Sequence, residues 1–252
     1  MPLPGPCDAP LVPCSSLFLR RESRARSSRL LHDPWIASKI PMAPVFDAEF
    51  RALLRSLLAW RRDVRSFRRE PLHDDALPRL LEIAMLAPSV GLSQPWRFVT
   101  VDDPERRSSI RRNFERCNAE ALAAQASETA ALYARLKLAG LDDAPCHLAV
   151  FADRTTDQGR GLGRRTMPEM IEYSAVAAVH TLWLAARAEG IGMGWVSILD
   201  PVEIATTLEV PAEWKLIGYF CLGYPQEEDD IPVLERIAWE RRRANASSLL
   251  RR

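Results

Sequence analysis

Lysine is almost missing from these 252 residues: Lys39, Lys137 and Lys215 are the three, and the rest of the 34 basic residues are arginine. None of the three follows a Gly-rich turn, so a Walker-type phosphate loop has no candidate. Closely spaced metal ligands are missing too. The five cysteines (Cys7, Cys14, Cys117, Cys146, Cys221) and four histidines (His32, His73, His147, His180) are dispersed, with no C-x-x-C pair, and no metal site is expected. An odd cysteine count without a disulfide framework fits free thiols in a reducing cytoplasm. The longest apolar stretch, about Ala175 to Ala188, is broken by His180 and Arg187 and is too short and polar for a membrane span. A net charge of +1 gives no electrostatic reason to expect a nucleic-acid or membrane partner. What is present, 47% hydrophobic and 27% charged residues, is the composition of an ordinary globular domain with a sizeable core.

Residues 1–44 read differently from the rest. They hold eight prolines, an arginine run (Arg20, Arg21, Arg24, Arg26, Arg29) and little periodicity. Rich in Arg and Ser and poor in acids, the segment loosely resembles a transit peptide. The plainer reading is a disordered leader, or a translation start set too early with Met42 as the alternative. A signal-peptide core is not seen, because Leu17-Phe18-Leu19 ends at Arg20. The globular domain proper is expected over 45–252.

From Phe46 the pattern becomes helical: Phe46, Phe50, Leu53, Leu54, Leu57 and Leu58 mark one apolar face. A second helix is expected from Asp74 or Asp75, burying Leu77, Leu80, Leu81 and Ala84 and stopping at Pro88. Strands are expected at about Trp96–Val101, His147–Ala152, Met193–Leu199 and Leu216–Leu222. Helical sequence opens at Pro104, and the stretch from Asn118 to Leu138 is Ala-rich and weakly amphipathic. A helix over about Pro168–Glu189, apolar nearly all round, should be the central buried one and end at Gly190. A short helix should follow Asp200-Pro201. Helices and strands mix without strict alternation, which predicts an α+β domain.

Four segments can carry chemistry. Arg61, Arg62 and Arg65 put three permanent charges into five residues, a donor set suited to phosphate. A solvated charged face is the alternative, but Asp63 in their midst and the flanking Trp60 and Phe67 weigh against it. In Ala87–Phe98, a helix stopped by Pro88 gives way to small polar residues and then to Gln94-Pro95-Trp96. Such a loop offers N–H groups, hydroxyls and an amide to the edge of a planar heterocycle; an ordinary helix-to-strand connection is the alternative. The glycines of Gly190–Ser197 allow close approach of backbone to a ligand but lack dinucleotide-binding spacing. Trp239-Glu240-Arg241-Arg242-Arg243 alone would be a solvated tail. Gly159-Arg160-Gly161-Leu162-Gly163 reads as a mobile loop.

In combination, R-R-D-V-R-S-F at Arg61–Phe67, A-P-S-V-G-L-S-Q-P-W-R-F at Ala87–Phe98, G-M-G-W-V-S-I at Gly192–Ile198 and W-E-R-R-R at Trp239–Arg243 resemble the nitroreductase-like flavoprotein family over about residues 46–243. The resemblance implies a mostly antiparallel central sheet surrounded by helices, in a homodimer with a C-terminal extension over Asp229–Arg243 and FMN at the subunit interface. Arg61, Arg62 and one of Arg241, Arg242 and Arg243 would hold the flavin phosphate, with Arg65 at the N1/O2 edge of the ring. Ser89, Gln94 and Pro95 would border the ring, and the backbone of Gly194, Trp195, Val196 and Ser197 would reach its N5 side, with Val64 completing the contact set.

Asp63 narrows the resemblance to the branch that consumes reduced FMN and O2 to make 5,6-dimethylbenzimidazole and erythrose 4-phosphate for the lower ligand of cobalamin. In that branch this aspartate and the W-V-S serine are tied to catalysis, which implies Asp63 and Ser197 here. A carboxylate close to an anionic ligand costs affinity, which fits a chemical role. The alternatives are an internal salt-bridge partner for Arg61 or Arg65, and for Ser197 a strand-end hydroxyl. Reduced FMN would then be a substrate supplied by a separate flavin reductase, without metal. A lid over about Pro104–Pro145 would exclude water. The rival readings are an FMN-dependent NAD(P)H nitroreductase or quinone reductase, and a flavin-binding protein without turnover. A chain begun at Met42 is expected to fold and bind FMN as the full chain does; failure to fold would make the leader structural.

Overall fold

The computed structural model describes residues 43–125, 140–243 and 249–250; the expectations for residues 1–42, and part of those for Asn118–Leu138, lie outside this range. The elements are α1 (Ala48–Trp60), α2 (Ala76–Ala84), β1 (Trp96–Thr100), α3 (Pro104–Ala123), α4 (Gly140–Asp143), β2 (Cys146–Asp153), α5 (Met170–Ala188), β3 (Gly192–Val196), α6 (Pro201–Thr207), β4 (Trp214–Gly223) and α7 (Val233–Arg236). Each strand falls within a few residues of its expected place. Two helix starts are set by the same dipeptide. Asp103 accepts hydrogen bonds from the N–H of Glu105 and Arg106, Asp200 from those of Val202 and Glu203, and a proline occupies the first helical position each time. The α5 helix ends where Gly190 takes φ +74°, letting the N–H of Ile191 reach back to the Ala186 carbonyl at 2.8 Å.

The sheet has the order β1-β2-β4-β3, and every pair is antiparallel. Side chains alternate across it with period two. Leu148 and Val150 of β2, with Phe220 and Leu222 of β4, meet Leu80, Ala84, Val179 and Leu182 of α2 and α5. Ala149, Phe151, Tyr219 and Cys221 meet Phe67, Ile110, Ala144 and Ile204 on the opposite face. With both faces covered, β2 reads as a continuous apolar run from Leu148 to Ala152. His147 lies in this core with its Nδ1 2.7 Å from the Tyr219 hydroxyl. The architecture is the α+β one expected.

Several expectations need correction. The apolar face of α1 forms as expected but is left uncovered within one chain: no residue of the helix is buried, and Phe50, Leu53, Leu54 and Leu58 are 40–63% exposed. Periodicity identifies an apolar face but not what covers it. The α5 helix is not buried all round either, since Tyr173, Val176 and His180 form an exposed stripe. The stretch expected as a lid begins as a fastened helix: Arg106 donates to the Thr207 carbonyl at 2.7 Å and pairs with Glu209, and Arg116 pairs with Glu203. Residues 126–139 of that stretch lie outside the described range. Gly159–Gly163 is a turn packed on the Ala87–Phe98 loop. A Cβ on Gly159 would lie 2.7 Å from the Gly91 carbonyl, and Gln158 donates to the Leu92 carbonyl at 2.8 Å. Among the described residues no helix is long and apolar enough to cross a membrane.

Candidate active site

After Trp60 the chain leaves α1 and lies along the free edge of β3. Asp63 forms a parallel bridge with Met193, the N–H of Val64 donates to the Met193 carbonyl at 3.1 Å, and the N–H of Trp195 donates to Asp63 Oδ1 at 2.9 Å. The close glycines of β3 follow from this contact: a Cβ on Gly194 would sit 2.2 Å from the Val64 carbonyl oxygen. Sequence reading assigned that space to a ligand; here Val64 fills it. Three residues on, the chain is zipped from the other side. Arg68 N–H donates to the Tyr224 carbonyl at 2.8 Å, Gln226 N–H to the Ser66 carbonyl at 3.2 Å, and Gln226 Nε2 to the Phe67 carbonyl at 3.0 Å. Arg61 to Arg65 thus project from a backbone fixed at both ends.

The C-terminal extension folds back onto this segment. Together they enclose a cavity of about 340 Å³ walled by Arg61, Arg62, Asp63 and Arg65 on one side and by the Pro232–Glu235 turn, Glu240, Arg241 and Arg242 on the other. Glu240 accepts the Arg241 N–H at 2.8 Å, and Glu235 accepts the Arg242 N–H at 3.0 Å and pairs with the Arg242 guanidinium at 3.8 Å, so the far side of the wall is partly neutralised. Burial first, and then Arg242, lowers the proton affinity of Arg61 and of Arg62. Both guanidiniums stay charged. Arg62 Nε is buried without a hydrogen-bond partner. Crowded cations and an orphaned donor are the conditions an anion relieves, and the residues therefore fit a phosphate.

Asp63 is half-buried in the same wall. Burial pushes its carboxyl above the usual aspartate range, opposed by the Trp195 N–H, Arg65 and Arg61. The Arg65 Nε–Asp63 Oδ2 distance is 3.3 Å, so the ion pair weighed for Asp63 does form, with Arg65. Burial outweighs it, leaving a carboxylate easier to protonate than an ordinary one.

The remaining candidates divide. Trp195 and Val196 end β3 next to this wall, and Ser197 is exposed just beyond it. Ser89, Gln94 and Pro95 belong to the turn entering β1: Ser89 Oγ accepts the Gln94 N–H at 3.1 Å, and the Pro95 carbonyl accepts the Asp153 N–H at 2.8 Å. That turn and the arginine segment occupy diagonally opposite corners of the sheet, Trp96 in register with Ala152 and Lys215, Met193 with Leu222. Strand spacing and rise place them on the order of 20 Å apart or more. One chain does not bring the two groups together. Arg243 is not part of the cavity wall. Two buried residues beside the site escaped sequence reading: Trp183, whose Nε1 donates to the Arg62 carbonyl, and Asn113, whose Oδ1 accepts the Asp200 N–H at 2.9 Å just after the Ser197 segment. An indole inside an apolar helix was the available signal for the first, since its N–H needs a partner. Among the described residues no group of His, Cys, Asp or Glu could hold a metal ion.

Residues 58–224 match the nitroreductase family. A 5,6-dimethylbenzimidazole synthase of Rhodospirillum rubrum is 58% identical over 200 residues, 79% of this chain and 95% of the relative. A protein of the same name from Rhodobacter capsulatus is 45% identical over 195 residues, 77% of this chain and 94% of the relative. Among solved structures, an oxidised iodotyrosine deiodinase bound to FMN and 3-iodo-L-tyrosine matches with a TM-score of 0.59 and 26% identity, over 70% of this chain and 91% of that one.

Proposed function

Because the chain belongs to the nitroreductase family, we propose that it acts as a 5,6-dimethylbenzimidazole synthase, using O2 to fragment reduced FMN into dimethylbenzimidazole and erythrose 4-phosphate. The observation that carries this beyond the similarity is Asp63, a carboxylate of raised proton affinity set in an arginine wall where a pure binding site would have no use for a negative charge. Reduced FMN is substrate here and brings the electrons and the carbon skeleton. Arg61, Arg62, Arg241 and Arg242 hold its phosphate, and Arg65 meets the ring edge where reduced flavin concentrates charge. The Asp63 carboxylate, held by the Trp195 N–H at Oδ1 and by Arg65 Nε at Oδ2, takes a proton during ribityl cleavage. Ser197, at the open end of β3, orients the reacting region of the ring. A separate flavin reductase supplies reduced FMN, and the reaction takes place in the cytoplasm without metal.

The test is to mix the purified protein with chemically reduced FMN, admit oxygen and look for dimethylbenzimidazole by chromatography. Return of oxidised FMN in full yield would sink the synthase reading and leave the NAD(P)H-dependent nitroreductase reading in its place.

The working unit is a homodimer. Ser89, Gln94 and Pro95 lie too far from the arginines of their own chain to share one flavin with them, and α1 presents an exposed apolar face of the kind a subunit interface covers. Light scattering at micromolar concentration should give about twice 28.4 kDa. A monomer that binds FMN at full strength would contradict the shared site.

A further inference from the structure

Arg61 and Arg62 face one cavity, repel each other and are repelled by Arg242, yet among the described residues neither guanidinium lies in an ion pair. Asp63 attracts Arg61, and Asp230 and Glu235 attract Arg62, but none of them comes within ion-pair distance. The structure points to Trp183 of α5. Its ring lies under the Arg61 guanidinium, with Cζ 4.8 Å from the centroid, and its Nε1–H donates to the Arg62 carbonyl at 3.2 Å. Trp183 is itself only 8% exposed, and its ring packs at 6.2 Å against that of Trp195, whose N–H holds Asp63.

We propose that Trp183 is the positioning residue that sets both phosphate-facing arginines at once, an inference that rests on the reading of Arg61 and Arg62 as the phosphate site. The chemistry favours an aromatic partner here. An acidic side chain would hold Arg61 as well, but it would cancel the charge offered to a phosphate and occupy the same N–H donors. A ring face attracts the cation through its quadrupole while leaving the donors at the guanidinium edge free. The indole N–H adds what phenylalanine or tyrosine in its place would lack, a bond to the backbone one residue on. Side chain and main chain of adjacent arginines are thereby referred to one rigid group on the central helix.

The experiment uses the full chain and two probes that differ in the phosphate alone, oxidised FMN and riboflavin, with binding followed by fluorescence and folding by thermal melting. The unaltered protein should prefer FMN strongly. Trp183→Phe keeps the ring face and loses the N–H, and should weaken FMN binding about fivefold, the worth of one hydrogen bond. Trp183→Leu loses both and should weaken it by tenfold or more. Riboflavin affinity should stay within about twofold of the unaltered protein for Trp183→Phe, since riboflavin has no phosphate for Arg61 and Arg62 to meet, and thermal melting reports the packing the smaller ring gives up. Equal loss of both ligands, or an unchanged preference in Trp183→Phe, overturns the positioning role. If the unaltered protein binds riboflavin as tightly as FMN, the phosphate reading itself fails and the inference falls with it. Should Trp183→Leu fail to fold, the Phe variant still decides the matter.

Discussion

Asp63→Asn should bind reduced FMN at least as tightly as the unaltered protein and yield little or no dimethylbenzimidazole in air. The amide keeps the shape of the carboxyl, and its oxygen can still accept the Trp195 N–H that now meets Oδ1 at 2.9 Å. What disappears is a negative charge beside an anionic ligand, so affinity has no electrostatic reason to fall. The basic oxygen disappears too, and losing a positioned proton acceptor costs about 10²–10⁴-fold in rate. A pH series gives the same group a second readout. Burial raises the Asp63 carboxyl, so the unaltered enzyme should lose activity on acidification at a pH above the ordinary aspartate value of about 4, as the carboxylate is protonated. Ser197→Gly should likewise bind FMN and fail to make product. Loss of FMN binding in Asp63→Asn would show instead that the Arg65 ion pair is what Asp63 is for.

Phe67→Ala is expected to have the largest effect on stability. Phe67 is fully buried, and its ring fills the space above Gly140 and Gly223, where added Cβ atoms would lie 2.8 and 3.1 Å from ring carbons. Truncating such a ring leaves a cavity and costs about 3–5 kcal/mol. In a domain of this size that lowers the melting temperature by roughly 10 °C. FMN affinity should fall as well, because the bridge from Phe67 to Pro225 closes one end of the arginine segment. A melting shift of a degree or two would mean that the backbone zipper alone holds the segment.

Much of this was legible in the sequence, for reasons that can be named. The core strands showed because both faces are covered and few polar residues interrupt them, and α3 and α6 because an aspartate precedes a proline at each start. The arginine wall showed because three of its charges are neighbours in sequence. Its far side, Arg241 and Arg242, came from the order of motifs and not from any local pattern. The rest depends on distances that sequence does not encode. Nothing local says that Gly194 is small to admit Val64, that the apolar side of α1 faces outward, or that Ser89 to Pro95 stand at the opposite corner of the sheet from Asp63. Trp183 was hidden by good company, one more apolar residue in an apolar helix.

The place of Glu235, Glu240, Arg241 and Arg242 in the chain, after the strands, also sets an order of events in synthesis. Chains emerge N-terminus first, and domains begin to fold as they do. The four strands among the described residues end by Gly223, so that sheet and the first arginines are complete before the far wall of the cavity has left the ribosome. A nascent chain therefore carries only the Arg61–Arg65 side of the cavity, and the cavity is completed as the Pro232–Arg242 segment arrives.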